Sequence, residues 1–308
     1  MKRQLSGAVV LAVCLLVVPH SAHAQSRGVY PLGMTAVGSG VTPDPGFTYA
    51  NQLLFYSRDE SKADDGSTLP ASGQNAVIMD MNSFVWVSRR TFPGGARYSA
   101  VATLPVAKNQ LVSDIHGQLS GGGGFADSYY LPLILGWNQE RASIRALVGI
   151  LAPTGGFAEG ASDNVGSGYW TPTLSSGQSL QLTRSNAVTF SAFQLYEWHT
   201  TQQGTGTKPG DTINLDYSLI RTFAFAKGPT RLQVGLVGYE QRQTTAKAGP
   251  AVSEDQSRER YAINALGFVT NLVFPNHRFN AGVRFFEEFG NRAAYQGYSF
   301  QVSGGVSF

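Results

Sequence analysis

Residues 298–308, at the C-terminal end of the chain, alternate strictly between two kinds of side chain. One set is apolar, aromatic or glycine and ends at the last residue; it comprises Tyr298, Phe300, Val302, Gly304, Val306 and Phe308. The intervening set is small or polar and comprises Ser299, Gln301, Ser303, Gly305 and Ser307. A repeat of two is the period of a β-strand, whose successive side chains point to opposite faces of the sheet. The pattern therefore predicts a final strand with lipid on one side and an aqueous lumen on the other.

The same repeat recurs along the chain between turn-forming residues. Twelve segments are predicted as strands: 47–58, 76–90, 96–106, 126–138, 144–153, 167–182, 187–199, 211–225, 231–243, 259–274, 279–290 and 297–308. Short connections such as 91–95 alternate with longer ones such as 59–75 and 107–125. Outer-membrane barrels show this alternation of short periplasmic turns and longer external loops. We therefore expect an all-β fold, a single transmembrane antiparallel β-barrel of about twelve strands over residues 47–308.

Residues 1–24 have the features of a cleaved signal peptide. Lys2 and Arg3 precede the uncharged apolar run 7–18, and Ala22-His23-Ala24 is a small-x-small cleavage site. The apolar run is shorter than the roughly 20 residues that a membrane-spanning helix needs. We expect export, and a location in the outer membrane of a Gram-negative bacterium.

Residues 25–46 lie between the predicted leader and the first strand and are rich in glycine, proline and small side chains. Proline lacks a backbone N–H, so Pro43 and Pro45 make this stretch a poor ladder strand. Two interpretations remain open for it: a periplasmic segment, or a segment inserted into the lumen.

The composition argues against several kinds of site. Cys14 is the only cysteine and lies in the predicted leader, so neither a disulfide framework nor a cysteine-based metal site is expected. The formal net charge is +3 without a clustered basic excess, which argues against nucleic-acid binding. We expect no cofactor and no bound metal. The expected partners are outer-membrane lipid, the barrel-assembly machinery and small hydrophobic or aromatic solutes.

The polar face of each predicted strand is assigned to the lumen, because a basic side chain facing lipid at mid-depth costs about 2–4 kcal/mol. Tyr129 and Trp137, near the two ends of one predicted strand, are assigned to the aromatic girdles at the membrane interfaces. The expected assembly signal is the row Tyr298, Phe300, Val306 and Phe308. The pore-lining candidates are Asp80, Asn82, Glu197, Asn214, Asp216, Arg284, Glu288 and Gln301.

Two strands and one connection depart from the simple pattern. Glu287 falls on the apolar face of its strand, and the segment 263–272 carries apolar residues on both faces. An interface position or a β-bulge would explain either departure. The glycines at 121–124 are not followed by Gly-Lys-Ser/Thr, so they predict a flexible loop rather than a phosphate-binding loop.

Short motifs along the chain resemble those of one outer-membrane family. They occur in order from about residue 30 to the C-terminus: Tyr30-Pro31-Leu32-Gly33, Leu54-Phe55-Tyr56, Tyr130-Leu131-Pro132, Ala152-Pro153-Thr154-Gly155, Gly166-Ser167-Gly168-Tyr169-Trp170, Pro209-Gly210-Asp211, Val237-Gly238-Tyr239 and Glu288-Phe289-Gly290. Each motif alone is weak, but their order and spacing are similar to those of the proteins named for the meta-pathway of phenol degradation. The resemblance implies an outer-membrane barrel with a transport role in aromatic-compound catabolism. It brings no catalytic residues.

Three classes of function are considered for such a barrel. The first hypothesis is a channel for passive uptake of small hydrophobic or aromatic compounds, whose selectivity depends on the lumen side chains. The second is a closed structural or adhesive barrel, in which the polar lumen groups pair with one another. The third is a lipid hydrolase, which needs a serine nucleophile within hydrogen-bond reach of a histidine. His116, His199 and His277 form no His-x-Ser pair on a strand, so we predict that the protein is not an enzyme.

Deletion of Phe308 is expected to impair assembly in the outer membrane, since this residue ends the lipid-facing row of the last strand. The measurement is the amount of heat-modifiable, protease-protected barrel in outer-membrane fractions. Normal levels of folded barrel without Phe308 would contradict the assignment of the terminal strand.

Overall fold

The protein is described by a computed structural model that covers residues 28–70, 73–113, 117–161, 163–225 and 228–308. The predicted signal peptide, residues 1–24, lies outside these ranges. The strands in the described ranges are β1 (Gly46–Lys62), β2 (Gly73–Thr91), β3 (Arg97–Ser113), β4 (Gly117–Phe125), β5 (Ser128–Asn138), β6 (Ala142–Ala152), β7 (Thr171–Gln181), β8 (Val188–Glu197), β9 (Thr212–Ala224), β10 (Arg231–Gln243), β11 (Ala262–Phe274), β12 (Phe279–Glu288) and β13 (Ala294–Ser307). A short helix, α1 (Glu254–Arg258), and the 3₁₀ turns Pro93–Gly95 and Pro275–His277 lie in connections. None of the described residues forms a helix long and apolar enough to cross a membrane.

Antiparallel pairing closes the sheet into a barrel. β1 pairs with β2 on one side and with β13 on the other, and the remaining strands follow in chain order, with β3 paired directly to β5. The closed ring contains twelve strands and leaves out β4. This confirms the predicted barrel, and each of the twelve predicted segments overlaps one strand of the ring. The end of the barrel with the short connections is named the periplasmic end below, and the opposite end is named the external end.

β13 closes the ring against β1 and has the two faces expected from its alternation. The Phe308 N–H donates to the Phe47 carbonyl at 2.8 Å, and the centroids of the two phenyl rings are 6.2 Å apart. Phe300 and Phe308 are exposed on the outside of the barrel, whereas Ser299 and Gln301 are buried inside it. The outer face of the last strand is therefore apolar and its inner face is polar.

β4 lies outside the ring and corrects the expectation for the connection 107–125. β3 continues to Ser113, and its residues 106–113 pair with β4 to form a hairpin beyond the external end of the ring. The glycines 121–124 belong to β4, so the prediction of a flexible loop is wrong. A side chain at Gly122 would collide with the backbone of Asp163. Glycine at this position therefore allows the connection after β6 to pack closely against the hairpin.

The orientation of β2 is opposite to the one expected from its polar residues. Ile78 is 49% exposed on the outer face, whereas Met81 is only 2% exposed and faces the lumen. Because side chains alternate along a strand, Asp80 and Asn82 share the outer face with Ile78. The assignment of Asp80 and Asn82 as pore-lining residues is therefore wrong.

The polar residues on this outer face form hydrogen bonds with one another. The Asn51 amide donates to the Asp80 carboxylate at 2.5 Å and to the Asn82 side-chain oxygen at 3.3 Å. The Tyr49 hydroxyl donates to the same oxygen of Asn82 at 2.6 Å. Such pairing reduces the cost of polar groups in lipid, where water cannot supply hydrogen bonds. Polarity alone is thus a poor indicator of which face of β2 points inward.

A β-bulge in β5 turns Tyr129 away from lipid. The register between β5 and β6 shifts between Tyr130 and Leu133, and an extra residue of this kind reverses the faces beyond it. Tyr129 is buried inside the barrel, with its hydroxyl 3.3 Å from the Thr173 hydroxyl. Its assignment to an aromatic girdle is therefore wrong. Trp137 lies beyond the bulge, opposite the exposed Ile144.

The two other departures need no bulge. Glu287 is exposed on the outer face near the external end of β12, opposite Tyr298. In β11, Phe268 is exposed to the outside while Ile263 and Val269 are buried inside. Both faces of β11 are apolar because its inner face packs against protein rather than water.

Labelling of single cysteine variants tests the orientation of β2, because Cys14 is the only natural cysteine and lies in the predicted leader. We expect Met79→Cys to react with a small water-soluble thiol reagent that enters the lumen. We expect Asp80→Cys to react only with a lipid-soluble reagent. Mass spectrometry of each variant in vesicles measures the modification, and the reverse pattern would contradict the orientation described above.

Candidate functional site

Residues 28–42, named the N-terminal segment below, run through the lumen. At the external end, the Gly28 N–H donates to the Tyr261 hydroxyl at 2.6 Å. At the periplasmic end, the Thr42 N–H donates to the Asn138 side-chain oxygen at 3.1 Å, and the Asn138 amide donates back to the Thr42 carbonyl at 2.8 Å. Residues 28–42 therefore lie inside the barrel rather than in the periplasm.

Asp216, a predicted pore-lining residue on β9, accepts hydrogen bonds from three donors of the N-terminal segment. The Tyr30 hydroxyl lies 2.7 Å from Oδ2, the Gly33 N–H lies 3.0 Å from Oδ1 and the Thr35 N–H lies 3.1 Å from Oδ2. Asp216 is fully buried, and a buried carboxylate is stabilised by such donors in place of water. The residue therefore binds the turn of the segment rather than facing an open pore.

Arg284 and Gln301 contact the same turn from β12 and β13. Arg284 Nη1 donates to the carbonyls of Gly33 and Met34 at 3.0 and 3.1 Å, and Gln301 Nε2 donates to the Leu32 carbonyl at 3.1 Å. Gly33 has a φ of 77°, in the left-handed region that favours glycine. The turn that presents its amide to Asp216 and its carbonyls to Arg284 therefore needs glycine at this position.

Glu197, at the external end of β8, binds the first described residues of the segment. Its Oε1 accepts from the N–H groups of Val29 and Tyr30, both at 2.9 Å. Its Oε2 accepts from the Thr212 hydroxyl at 2.5 Å and from the Asn214 amide at 2.9 Å. Glu197 and Asn214 thus lie inside the barrel and form part of the attachment of the segment.

Glu288 forms a buried ion pair with Arg58 on the inner face of the wall. Arg58 Nη2 lies 2.7 Å from Oε1, and Arg58 Nε donates to both carboxylate oxygens at 3.0 Å. The Tyr239 hydroxyl and the Asn291 amide donate to the same carboxylate at 2.9 and 3.1 Å. This ion pair fills part of the lumen next to the N-terminal segment.

The attachment in the periplasmic half is of a different kind. The Ser39 carbonyl accepts from Arg145 Nε at 2.7 Å, and the Gly40 N–H donates to the Ser179 hydroxyl at 3.0 Å. Together with the Thr42–Asn138 pair, these contacts bind the segment without a carboxylate. The carboxylates that bind the segment, Glu197 and Asp216, contact residues 29–35.

An apolar cavity of about 380 Å³ lies between the N-terminal segment and the wall formed by β2, β3, β5 and β6. Its apolar lining includes Met79 and Met81 of β2, Pro105 of β3, Tyr129 of β5 and Leu151 of β6. The segment contributes Val29, Pro31 and Met34, and the external connections contribute Phe157 and Val165. Ligand sites in proteins have this character, an apolar concave surface with a few polar groups.

Asp127, between β4 and β5, is the carboxylate in the lining of this cavity. Its two oxygens accept from the N–H groups of Gly155 and Ser167 at 3.1 and 2.8 Å. Burial raises the pKa of Asp127, although both hydrogen bonds act in the opposite direction. The carboxylate fixes the connection between β6 and β7 over the external side of the cavity.

The two described histidines, His199 and His277, lie at opposite ends of the barrel. His199 is buried, with Nδ1 2.9 Å from the Thr171 hydroxyl, and its main-chain N–H donates to Asp211 Oδ1 at 2.9 Å. His277 lies in the 3₁₀ turn at the periplasmic end. His116 lies outside the described residues. Within the described ranges there is also no group of three or more metal-ligating His, Cys, Asp or Glu side chains.

Residues 58–303 match the family described as "Putative MetA-pathway of phenol degradation". The chain belongs to this family. Among solved structures, an outer membrane channel from Pseudomonas putida F1 is similar, with a TM-score of 0.71, 13% identity, and coverage of 91% of this chain and 100% of that one. The beta domain of the Bordetella autotransporter BrkA has a TM-score of 0.52, 12% identity, and coverage of 86% and 100%. At these identities the likeness shows the barrel fold alone, and no curated protein matches the chain in sequence.

Sequence reasoning missed two arginines in the lumen of this family member. Arg58 lies four residues after Leu54 on β1 and therefore on the same face, and the Leu54 side chain is buried. The two-residue period could thus have assigned Arg58 to the inner face. Arg145 alternates with the exposed Ile144 and shares its face with the buried Leu147 on β6, so the same period could have assigned it to the inner face. The attachment of the N-terminal segment leaves no periodic signal, because the segment forms no strand.

Asp216→Ala is expected to loosen the N-terminal segment, since hydrogen bonds to a charged group contribute about 1.5–3 kcal/mol each. Protease cleavage within residues 28–42 should become faster in detergent, and the temperature at which the barrel unfolds should fall. Asp80→Ala removes the same type of side chain, but from the outer face of the barrel, and is the matched control. Equal cleavage of the two variants would contradict the anchoring role of Asp216.

Proposed function

We propose that the protein is an outer-membrane channel for passive uptake of small apolar or aromatic compounds. The observation that carries the proposal is the apolar cavity between the N-terminal segment and the wall of the barrel. The family description, which refers to phenol degradation, supports an aromatic solute. An aqueous pore for ions would instead need a continuous polar lining.

The cavity has a suitable size for such a solute. A cavity of about 150 Å³ lined by aliphatic and aromatic side chains binds benzene. The cavity in this barrel has a volume of about 380 Å³, which leaves room for a substituted single ring. Asp127 and the Tyr129 hydroxyl offer polar contacts to a phenolic hydroxyl substituent.

A solute in this cavity reaches the periplasm only by passing residues 36–42 of the N-terminal segment. Those residues are bound by Arg145, Ser179 and Asn138, whereas residues 29–35 are bound by the carboxylates of Glu197 and Asp216. Hydrogen bonds to charged groups are the stronger kind, and the periplasmic half has one charged partner, Arg145, whereas the external half has Glu197, Asp216 and Arg284. The periplasmic half of the segment is therefore the part that moves during passage.

A closed structural barrel is the second candidate function. The N-terminal segment and the Arg58–Glu288 ion pair occupy much of the lumen, which favours a barrel that passes nothing. A change in solute flux when the segment is locked in place distinguishes the two candidates.

The lock is a disulfide in the variant Thr42→Cys/Gly136→Cys. An ideal Cβ atom at Gly136 lies 3.1 Å from the Thr42 Cβ, and Cβ atoms of disulfides are about 3.5–4.5 Å apart, so a small backbone shift suffices. In vesicles, the reduced variant should pass phenol and benzoate like the natural protein. Oxidation should lower this flux several-fold, and a reductant should restore it, because the locked segment cannot leave the lumen.

Thr42→Cys alone is the matched control and should be insensitive to oxidation. Flux through the natural protein that does not exceed that of protein-free vesicles would contradict the channel. Flux that is equal in the locked and reduced forms would contradict a route past the N-terminal segment.

A further inference from the structure

A second cavity of about 380 Å³ lies on the outside of the barrel at its external end. Three arginines line it: Arg242 at the end of β10, Arg260 just before β11 and Arg292 in the connection between β12 and β13. The lining is completed by Gln243, Tyr261, Ala262, Asn264 and Gly290. This cavity is polar and basic, and none of its lining residues lines the apolar cavity of the lumen.

The strand faces place this cavity on the outer surface. Gln241 and Ile263 are buried inside the barrel, so their neighbours Arg242 and Asn264 point outward. Directly toward the periplasmic end, the same face of β11 carries Leu266 and Phe268, which are 51% and 54% exposed. The basic cavity therefore lies at the external border of the lipid-facing apolar surface.

The charges of the cavity are only partly neutralised. Arg242 donates to the Ile263 carbonyl at 2.7 Å and forms an ion pair with Glu240 at 3.3 Å; it also donates to the Asn264 side chain. Arg260 donates to the main-chain carbonyls of Ser257 and Glu259 at 2.6 and 2.9 Å. Among the described residues, neither Arg260 nor Arg292 has a carboxylate within ion-pair distance.

We propose that this cavity binds the phosphate group of a phosphorylated lipid headgroup in the outer leaflet. The planar guanidinium group matches a phosphate with two parallel hydrogen bonds, and Arg242, Arg260 and Arg292 approach the cavity from three connections or strand ends. The acyl chains of the same lipid would lie on Leu266 and Phe268. This apolar surface below the arginines favours a lipid over a free phosphate ion, which would gain nothing from it.

The proposal rests on the outer-membrane location and not on solute passage. It gives the β10–β12 face of the barrel a fixed lipid partner and fixes the depth of this face in the membrane. Loss of solute flux would therefore leave the proposal intact, and loss of lipid binding would leave the channel intact.

Native mass spectrometry of the detergent-purified barrel tests the proposal with three probes: diphosphorylated lipid A, its dephosphorylated form and inorganic phosphate. The natural protein should retain the diphosphorylated lipid at least about tenfold more strongly than the dephosphorylated one. The variant Arg260→Gln/Arg292→Gln should lose about tenfold in affinity for the phosphorylated lipid only. Arg221→Gln is the matched control, because Arg221 lies exposed near the periplasmic end of β9, over the Phe223 ring, and should change nothing.

Heat modifiability of each variant verifies that the barrel is folded, and Arg260→Lys/Arg292→Lys supplies a second variant that keeps the charges. The lysine variant should bind with intermediate affinity, since it loses the paired guanidinium hydrogen bonds. Equal affinity of the natural protein for both lipids would overturn the proposal, as would unchanged affinity of the glutamine variant. Inorganic phosphate that competes for the cavity as strongly as the lipid would show a free-ion site and would also overturn it.

Discussion

A carboxylate inside a narrow barrel is stable only where several donors replace the water that it has lost. The backbone donors of the strands are already used in the ladder, and both oxygens of Asp216 and one oxygen of Glu197 take donors from outside the ring. The N-terminal segment supplies them with the amides of residues 29, 30, 33 and 35 and the Tyr30 hydroxyl. The segment forms no strand, so its own amides in turn need acceptors. The lumen carboxylates accept the hydrogen bonds of the segment amides, and the amides replace the water that the carboxylates have lost. The path of the segment through the lumen follows from this mutual requirement.

The attachment is uneven along the barrel axis, and this unevenness links the fold to the proposed function. Residues 29–35 contact the Asp216 and Glu197 carboxylates and the Arg284 guanidinium. Residues 39–42 have a single charged partner, Arg145, and otherwise contact the neutral side chains of Ser179 and Asn138. Charged partners strengthen hydrogen bonds in a region of low dielectric constant. A segment that is bound firmly near the external end and less firmly near the periplasmic end can change the width of the lumen near the periplasmic end. The apolar cavity on the external side keeps its shape during this change.

The sequence allowed the barrel to be predicted because lipid imposes a strict period on every strand and closure requires every edge to be paired. It did not allow the lumen to be predicted, because the rule that polar residues face inward assumes a lumen filled with water. In β2 the assumption fails: Met81 faces the N-terminal segment and Asp80 faces outward. The bulge in β5 reversed the face of Tyr129, and a single inserted residue leaves no signal in a short alternating segment. Glu197, Asp216 and Arg284 lie inside the barrel, but their partners come from a non-repetitive segment that strand periodicity does not describe.

The reversed orientation of β2 and the apolar cavity have the same physical origin. If Asp80 and Asn82 faced inward, their polar groups would lie where Met79 and Met81 now line the cavity, and the wall would bind water rather than an apolar ring. On the outer face the same two residues are satisfied by Asn51 and Tyr49, so they need neither water nor lumen partners. The hydrogen-bonded polar residues on the outer face of β2 thus allow the inner face of the same strand to be apolar. A barrel with an apolar cavity in its lumen therefore departs from the usual two-faced pattern at the strand that lines this cavity.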